Sequence, residues 1–166
     1  MKKLAYLSLG SNLGDRRANL DQAIERLREL GDVKAISSFY ETAPVEFMRQ
    51  PDFLNVAVVL ETGKMPRQLL HALQEIERAL GRKRSPSAQG KGPRAIDIDI
   101  LLFGASVIET PELTVPHAAM HQRRFVLEPL VEIAPDLRHP LLKHSMRELR
   151  DGLPAGGDWV KKIPNP

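Results

Sequence analysis

Residues 53 to 61 alternate so that Leu54, Val56, Val58 and Leu60 fall on one side of an extended chain, with Phe53, Asn55, Ala57 and Val59 on the other. The pattern predicts a strand whose second stripe carries one polar group, Asn55. A second alternation runs from Ile96 to Phe103 and puts Ile96, Ile98 and Ile100 on one side, Asp97 and Asp99 on the other. Leu4 to Leu9 reads as a first strand, and Val33 to Thr42, rich in β-formers and polar alternates, as another.

Two stretches follow the helical period instead. Leu20, Ala23, Ile24, Leu27 and Leu30 predict a helix from Asp15 to Leu30, ended by Gly31 in a left-handed cap. Leu69, Leu70, Leu73, Ile76 and Leu80 predict a second, begun at Pro66 and closed by Gly81. Beyond Phe103, Arg123 to Ile133 and Met146 to Leu149 predict short helical pieces, and 152–166 reads as an irregular Gly/Pro-rich tail.

The order strand, helix, strand, strand, helix, strand is that of an α+β, ferredoxin-like βαββαβ core with extra C-terminal elements. In that plan the aliphatic stripes meet helices packed on one sheet face. The opposite face is then left to Phe53, Asn55, Asp97 and Asp99.

At 166 residues the chain fits a single domain over 1–166, large enough to bury a core without metal or disulfide support. Its 42% hydrophobic and 27% charged residues exclude a disordered composition. It has no cysteine, which excludes disulfides, zinc-thiolate sites and thiol catalysis, and fits a cytoplasmic location. The apolar run after Lys2-Lys3 is too short for a signal peptide, and no stretch has the length of a membrane span.

Formal net charge is only +3, yet Arg82, Lys83, Arg84, Lys91 and Arg94 crowd one segment that has no acidic residue. That basic segment directly precedes Asp97 and Asp99. Carboxylates two apart on a strand stand about 7 Å apart and repel by about 2 kcal/mol at an effective dielectric of 20. A cation between them is expected, and Mg²⁺ favours one or two carboxylates plus substrate phosphates. The basic segment would then meet the phosphates.

Gly10-Ser11-Asn12-Leu13-Gly14 joins the first strand to the first helix, where backbone N–H groups can face an anion or a polar ring. It lacks the Gly-Lys-Ser/Thr ending of a P-loop. Phe53 offers a stacking ring and Asn55 an amide that both donates and accepts, the two needs of a flat heteroaromatic ligand. His117, close to Arg123 and Arg124, is a candidate phosphate ligand.

Over roughly residues 3 to 140 the chain resembles the 6-hydroxymethyl-7,8-dihydropterin pyrophosphokinase family of folate biosynthesis. The resemblance rests on Leu9 to Gly14, Phe39-Tyr40-Glu41-Thr42, Gln50 to Asn55, Gly92-Pro93-Arg94 with Asp97 and Asp99, and Val115-Pro116-His117 onward to Arg123 and Phe125. It implies transfer of pyrophosphate from MgATP to the pterin hydroxymethyl group, with release of AMP. It further implies two Mg²⁺ ions on Asp97 and Asp99, with Arg82 and Arg94 beside them in catalysis. ATP would meet Gln74, Arg84, Lys91, Arg94, Ile100, Leu113, Thr114, His117 and Arg123. The pterin would lie between Phe53 and Phe125, read by Asn55 and by the backbone around Gly10, Thr42, Ala43 and Val45. The partners implied are these two small molecules, with no nucleic acid or membrane, and a monomer is expected.

A two-metal nucleotidyl transferase or cyclase would use the same carboxylate pair but release pyrophosphate. An RNA-binding module on the same sheet lacks its stacking aromatics, and paired aspartates would repel phosphate. The glycine, proline and serine content of 81–93 predicts a lid over ATP.

Overall fold

The fold is taken from a computed structural model that describes residues 1–43, 51–81, 94–157 and 159–164. Its chain order is β1 (Lys3–Ser11), α1 (Arg16–Leu27), β2 (Asp32–Ile36), β3 (Tyr40–Thr42), β4 (Phe53–Thr62), α2 (Pro66–Ala79) and β5 (Asp97–Phe103). There follow β6 (Ile108–Glu109), β7 (Thr114–Val115), a 3-10 turn at Met120–Gln122, α3 (Arg124–Ile133), α4 (Met146–Asp151) and β8 (Val160–Lys162). Among the described residues, β5, β1, β4, β3 and β8 lie side by side in that order, and β2 also pairs with β4. The pairings are antiparallel. The chain is therefore mixed helix and antiparallel sheet, and none of its described helices is long and apolar enough to cross a membrane.

The alternation read from the sequence sorts the core into two layers. Leu54, Val56, Val58 and Leu60 of β4 join Ala5, Leu7 and Leu9 of β1 against α1 and α2. Ala57 and Val59 face the other way, with Tyr6, Leu101 and Leu102, against Val126, Leu127, Leu130 and Val131 of α3 and Met146 of α4. The expectation of helices on one face alone is thus corrected. The apolar stripe of α3 needs a partner surface, and the aliphatic half of the second sheet face provides it. Only the end of that face carrying Phe53, Asn55, Asp97 and Asp99 is left for a site.

A β-bulge adjusts β5 to this double duty. Tyr6 pairs with Leu102 and Leu7 with Ile100, so Leu101 is the extra residue. Leu101 and Leu102 consequently both enter the second layer, while Ile98, Ile100 and Phe103 stay in the first.

The predicted strand from Val33 to Thr42 is broken in two. At Ser37 the hydroxyl accepts the Ala57 N–H at 2.9 Å, taking a place that a backbone carbonyl would hold in a continuous ladder. Phe39 then turns into the first layer and Tyr40 begins β3.

Helix α1 is shorter than predicted. Its last residues, Arg28 to Leu30, tighten into bonds three residues back. Gly31 does not adopt the left-handed conformation expected of it. It is needed for close approach instead, since a Cβ there would lie 2.1 Å from the Glu61 carbonyl oxygen. Gly81 does follow α2 with φ +93°, as the sequence predicts. Within the tail, Val160–Lys162 pairs as β8 with the whole of β3, adding a regular strand where irregular chain is expected.

Candidate active site

Gly10 is paired on both sides. It stands opposite Asp97 in the β1–β5 ladder and opposite Asn55 in the β1–β4 ladder. Ser8, two residues earlier, stands opposite Asp99. One row across three strands therefore runs Asp97, Gly10, Asn55 and continues to Tyr40 of β3. With strands about 4.8 Å apart, the acidic and amide side chains are about 10 Å apart, with no side chain between them.

Gly10 is glycine for a steric reason. A Cβ there would lie 2.7 Å from Asn55 Oδ1 and 3.3 Å from Phe53 Cδ1. Asn55 is buried and cannot retreat freely, because its Nδ2 donates to Thr42 Oγ1 at 2.6 Å. That bond fixes the amide, with Oδ1 toward Gly10. Phe53 opens β4 opposite Thr42, so Phe53, Asn55, Thr42 and Gly10 form one patch, and Ala43 follows directly and is half-buried.

At the other end of the row Asp97 and Asp99 are both half-buried. Arg94 Nη1 pairs with Asp97 Oδ1 at 3.1 Å. Asp99 has less relief. Burial, then the charges of Asp97 and Glu77, push its carboxyl up to about 7, against the opposing pull of Arg123 and Arg94. Arg123 and Asp97 also act on His117, whose pKa is lowered by burial first and Arg123 second, with Asp97 opposing. His117 Nδ1 accepts the Ala119 N–H at 3.3 Å, so the neutral ring carries its proton on Nε2. Its own backbone N–H donates to Leu101 at 2.9 Å, which lays the 114–117 segment along the outer edge of β5. Arg123 caps α3 and stacks 5.6 Å from the ring of Phe125, the second residue of that helix.

Arg94, Asp97, Asp99, His117 and Arg123 are thus brought together, and so are Gly10, Thr42, Phe53 and Asn55. Thr114 is exposed on β7 and Gln74 is exposed on α2. Leu113 packs on the core. Ile100 is 4% exposed within the first layer, so its side chain is turned from the carboxylate face and only its backbone can serve a ligand. Arg82, Arg84, Lys91 and Val45 lie outside the described residues, as do 82–93 of the predicted lid.

The Gly10 to Gly14 loop differs from expectation. The Asn12 N–H, which could have faced an anion, donates to the Arg94 carbonyl at 3.0 Å. The Asn12 side chain accepts from Arg94 N at 2.7 Å and donates to Pro51 at 3.1 Å. The loop is a brace that sets Arg94. Glu77 is a second brace missed by spacing. It is 4% exposed, and its Oε2 accepts the Ile98 N–H between the two aspartates at 2.9 Å. A buried acid on the apolar face of α2 was the available signal.

Among the described residues no cluster of three or more His, Cys, Asp or Glu could cage a metal ion. Two carboxylates on one strand face suit a hard cation that keeps other oxygen ligands, and such a cation would offset the burial and the Asp97 and Glu77 charges that raise the Asp99 pKa. The donor set fits Mg²⁺ better than Zn²⁺.

A family model described as 7,8-dihydro-6-hydroxymethylpterin-pyrophosphokinase (HPPK) matches residues 6–135. A 2-amino-4-hydroxy-6-hydroxymethyldihydropteridine pyrophosphokinase of Bacillus subtilis is 47% identical over 135 residues, covering 80% of this chain and 79% of the relative. One from Aquifex aeolicus is 40% identical over 145 residues, covering 87% and 89%. The folic acid synthesis protein fol1 of Schizosaccharomyces pombe is 41% identical over 93% of this chain, which spans only 21% of that longer relative. Among solved structures, Plasmodium falciparum HPPK-DHPS with pteroate superposes on 91% of this chain, and on 42% of its own, at TM-score 0.73. At 18% identity that likeness concerns the fold.

Proposed function

The chain belongs to the 7,8-dihydro-6-hydroxymethylpterin-pyrophosphokinase family, and from that premise we propose that this site transfers pyrophosphate from ATP to the hydroxymethyl group of 6-hydroxymethyl-7,8-dihydropterin, releasing AMP. It is a transferase of folate biosynthesis with ATP as co-substrate. The observation that carries the division of labour is the row Asp97, Gly10, Asn55. It sets an acidic end for metal and phosphate beside an amide and aromatic end for a flat ring.

Asp97 and Asp99 are the residues that would hold Mg²⁺, in two ions by the family resemblance. The bound metal supplies positive charge for the polyphosphate and the developing oxyanion. Arg94, which pairs with Asp97 through one nitrogen, has further N–H donors for a phosphate oxygen. Arg123 adds a second fixed cation, and the Nε2–H of neutral His117 donates a hydrogen bond to a phosphate oxygen. Phe53 and Phe125 stack the pterin. Asn55 Oδ1 accepts from the ring edge, with one of its two amide N–H donors given to Thr42. Positioning and fixed charge, rather than covalent chemistry, do the catalysis.

The strand order β5, β1, β4 with β2 and β3 on the far side of β4 supports the ferredoxin-like reading, with the second predicted strand split. A monomer is the expected working unit, and sedimentation tests this. Product analysis tests the activity. ATP, Mg²⁺ and hydroxymethyldihydropterin should give AMP one for one with pyrophosphorylated pterin, whereas ADP, pyrophosphate or no AMP overturns the assignment.

A further inference from the structure

We infer that Glu132, near the far end of α3, is a positioning residue for the pterin slot, because its carboxylate ties α3 to the strand segment that holds Asn55 and Thr42. The inference rests on the pterin reading of the site. Glu132 Oε1 accepts the Tyr40 hydroxyl at 2.5 Å, and Oε2 accepts both the Ser38 N–H and the Ser38 hydroxyl at 3.0 Å. The donors are 92 and 94 residues away in the chain, so the contact is purely tertiary. Glu132 is exposed as a residue; the partial burial of its carboxylate works against the charge, yet the bonds from Tyr40 and Ser38, with Lys162 nearby, hold its pKa below the ordinary glutamate value.

Both walls of the slot hang on this contact. Tyr40 is the ladder partner of Asn55, and two residues on Thr42 receives the Asn55 amide. β3 is three residues long and has only the equally short β8 on its outer side. So short a strand gains little from its own ladder. On the other wall, Phe125 precedes Glu132 by seven residues, two helical turns, and so lies on the same face of α3. Pro129 between them cannot supply the N–H that would close on the Phe125 carbonyl. The first turn of α3 keeps the bonds of Val126 and Leu127 to the Arg123 carbonyl but lacks this one, so its packing shares in placing Phe125. Glu132 fixes the strand wall and the helix wall relative to each other, although it touches neither ligand.

Tyr40→Phe removes one donor and keeps the ring; Glu132→Gln keeps the size and replaces one acceptor by a donor. Pterin affinity would be measured by calorimetry with a non-hydrolysable ATP analogue and Mg²⁺ present, and analogue affinity without pterin. Each single variant should weaken pterin by about three- to tenfold. The double variant should be no worse than the weaker single, and analogue affinity should stay within about twofold. Unchanged pterin affinity in both singles, additive losses, or an equal loss of analogue affinity overturns the role. Should Glu132→Gln fail to fold, Ser38→Ala replaces it in the same cycle. A wild-type protein that binds no pterin and forms no AMP overturns the site reading itself, a different result from an active wild type with unaffected variants.

Discussion

Asn55 Oδ1 occupies the space that a side chain on Gly10 would need, 2.7 Å from where its Cβ would stand. The glycine thus shapes the site by lacking a side chain. Because Gly10 is also the ladder partner of Asp97, the same missing side chain keeps the acidic end open to the amide end.

Gly10→Ala should therefore displace Asn55 and strain its bond to Thr42. The expected result is a loss of pterin affinity of at least about tenfold, with roughly 1 to 3 kcal/mol of stability lost to overpacking. Calorimetry with pterin and with an ATP analogue should show the larger loss for pterin.

Asp99 should make stability depend on pH and, if it holds Mg²⁺ as proposed, on metal as well. Its folded pKa of about 7 lies above the ordinary 3.8, so the folded state binds the extra proton between those values. Stability on this account is full below about pH 4 and is lost as pH rises through 7. Mg²⁺ bound by the ionised carboxylate should restore it. Thermal unfolding in chelator and in Mg²⁺ should differ little at pH 5 and by at least about 3 °C at pH 8.

Asp99→Asn separates fold from function. Replacing the crowded carboxyl with a neutral amide should raise the melting temperature in chelator at pH 8, abolish the stabilisation by Mg²⁺, and lower kcat by about 10²-fold or more. A variant with normal turnover would contradict the metal role.

Arg123→Ala should raise KM for ATP by about ten- to a hundredfold, the loss of one charge-assisted phosphate contact. Removing Arg123 also takes away a charge that holds the His117 pKa down. The His117 ring should then titrate at higher pH in the free variant, which NMR of the imidazole resonances would show.

Asn12→Ala should act at a distance. It removes the acceptor of the Arg94 N–H and the donor to the Pro51 carbonyl, two part-buried bonds worth about 1 to 3 kcal/mol together. With Arg94 released, kcat should fall along with stability. Denaturant unfolding and steady-state kinetics measure the two losses.

Much of this architecture can be read from local pattern. Alternation from Phe53 to Glu61 and from Ile96 to Phe103 specifies which side chains share a sheet face, and it places Asn55 with Phe53 and Asp97 with Asp99. Helical spacing locates α2 almost to its ends, helped by Pro66 and Gly81. The splitting of the strand at Ser37 escapes such reading, because a hydroxyl that replaces a ladder carbonyl leaves no mark on periodicity. The role of Gly31 escapes it for a similar reason: left-handed turns and close backbone approach both demand glycine, and only the position of Glu61 tells them apart.

The sequence alone determined most of the larger strands and helices, the faces of their side chains, and the chemistry of an acidic pair beside a basic segment, since these follow from covalent geometry and residue type within one stretch of chain. The tertiary structure alone decided that Gly10 separates Asp97 from Asn55, that Asn12 braces Arg94, that Glu132 reaches Tyr40, and that α3 and α4 cover half of the second sheet face. Those relations join residues tens of positions apart. They are fixed by register and by the burial of whole surfaces, which no short stretch of chain encodes.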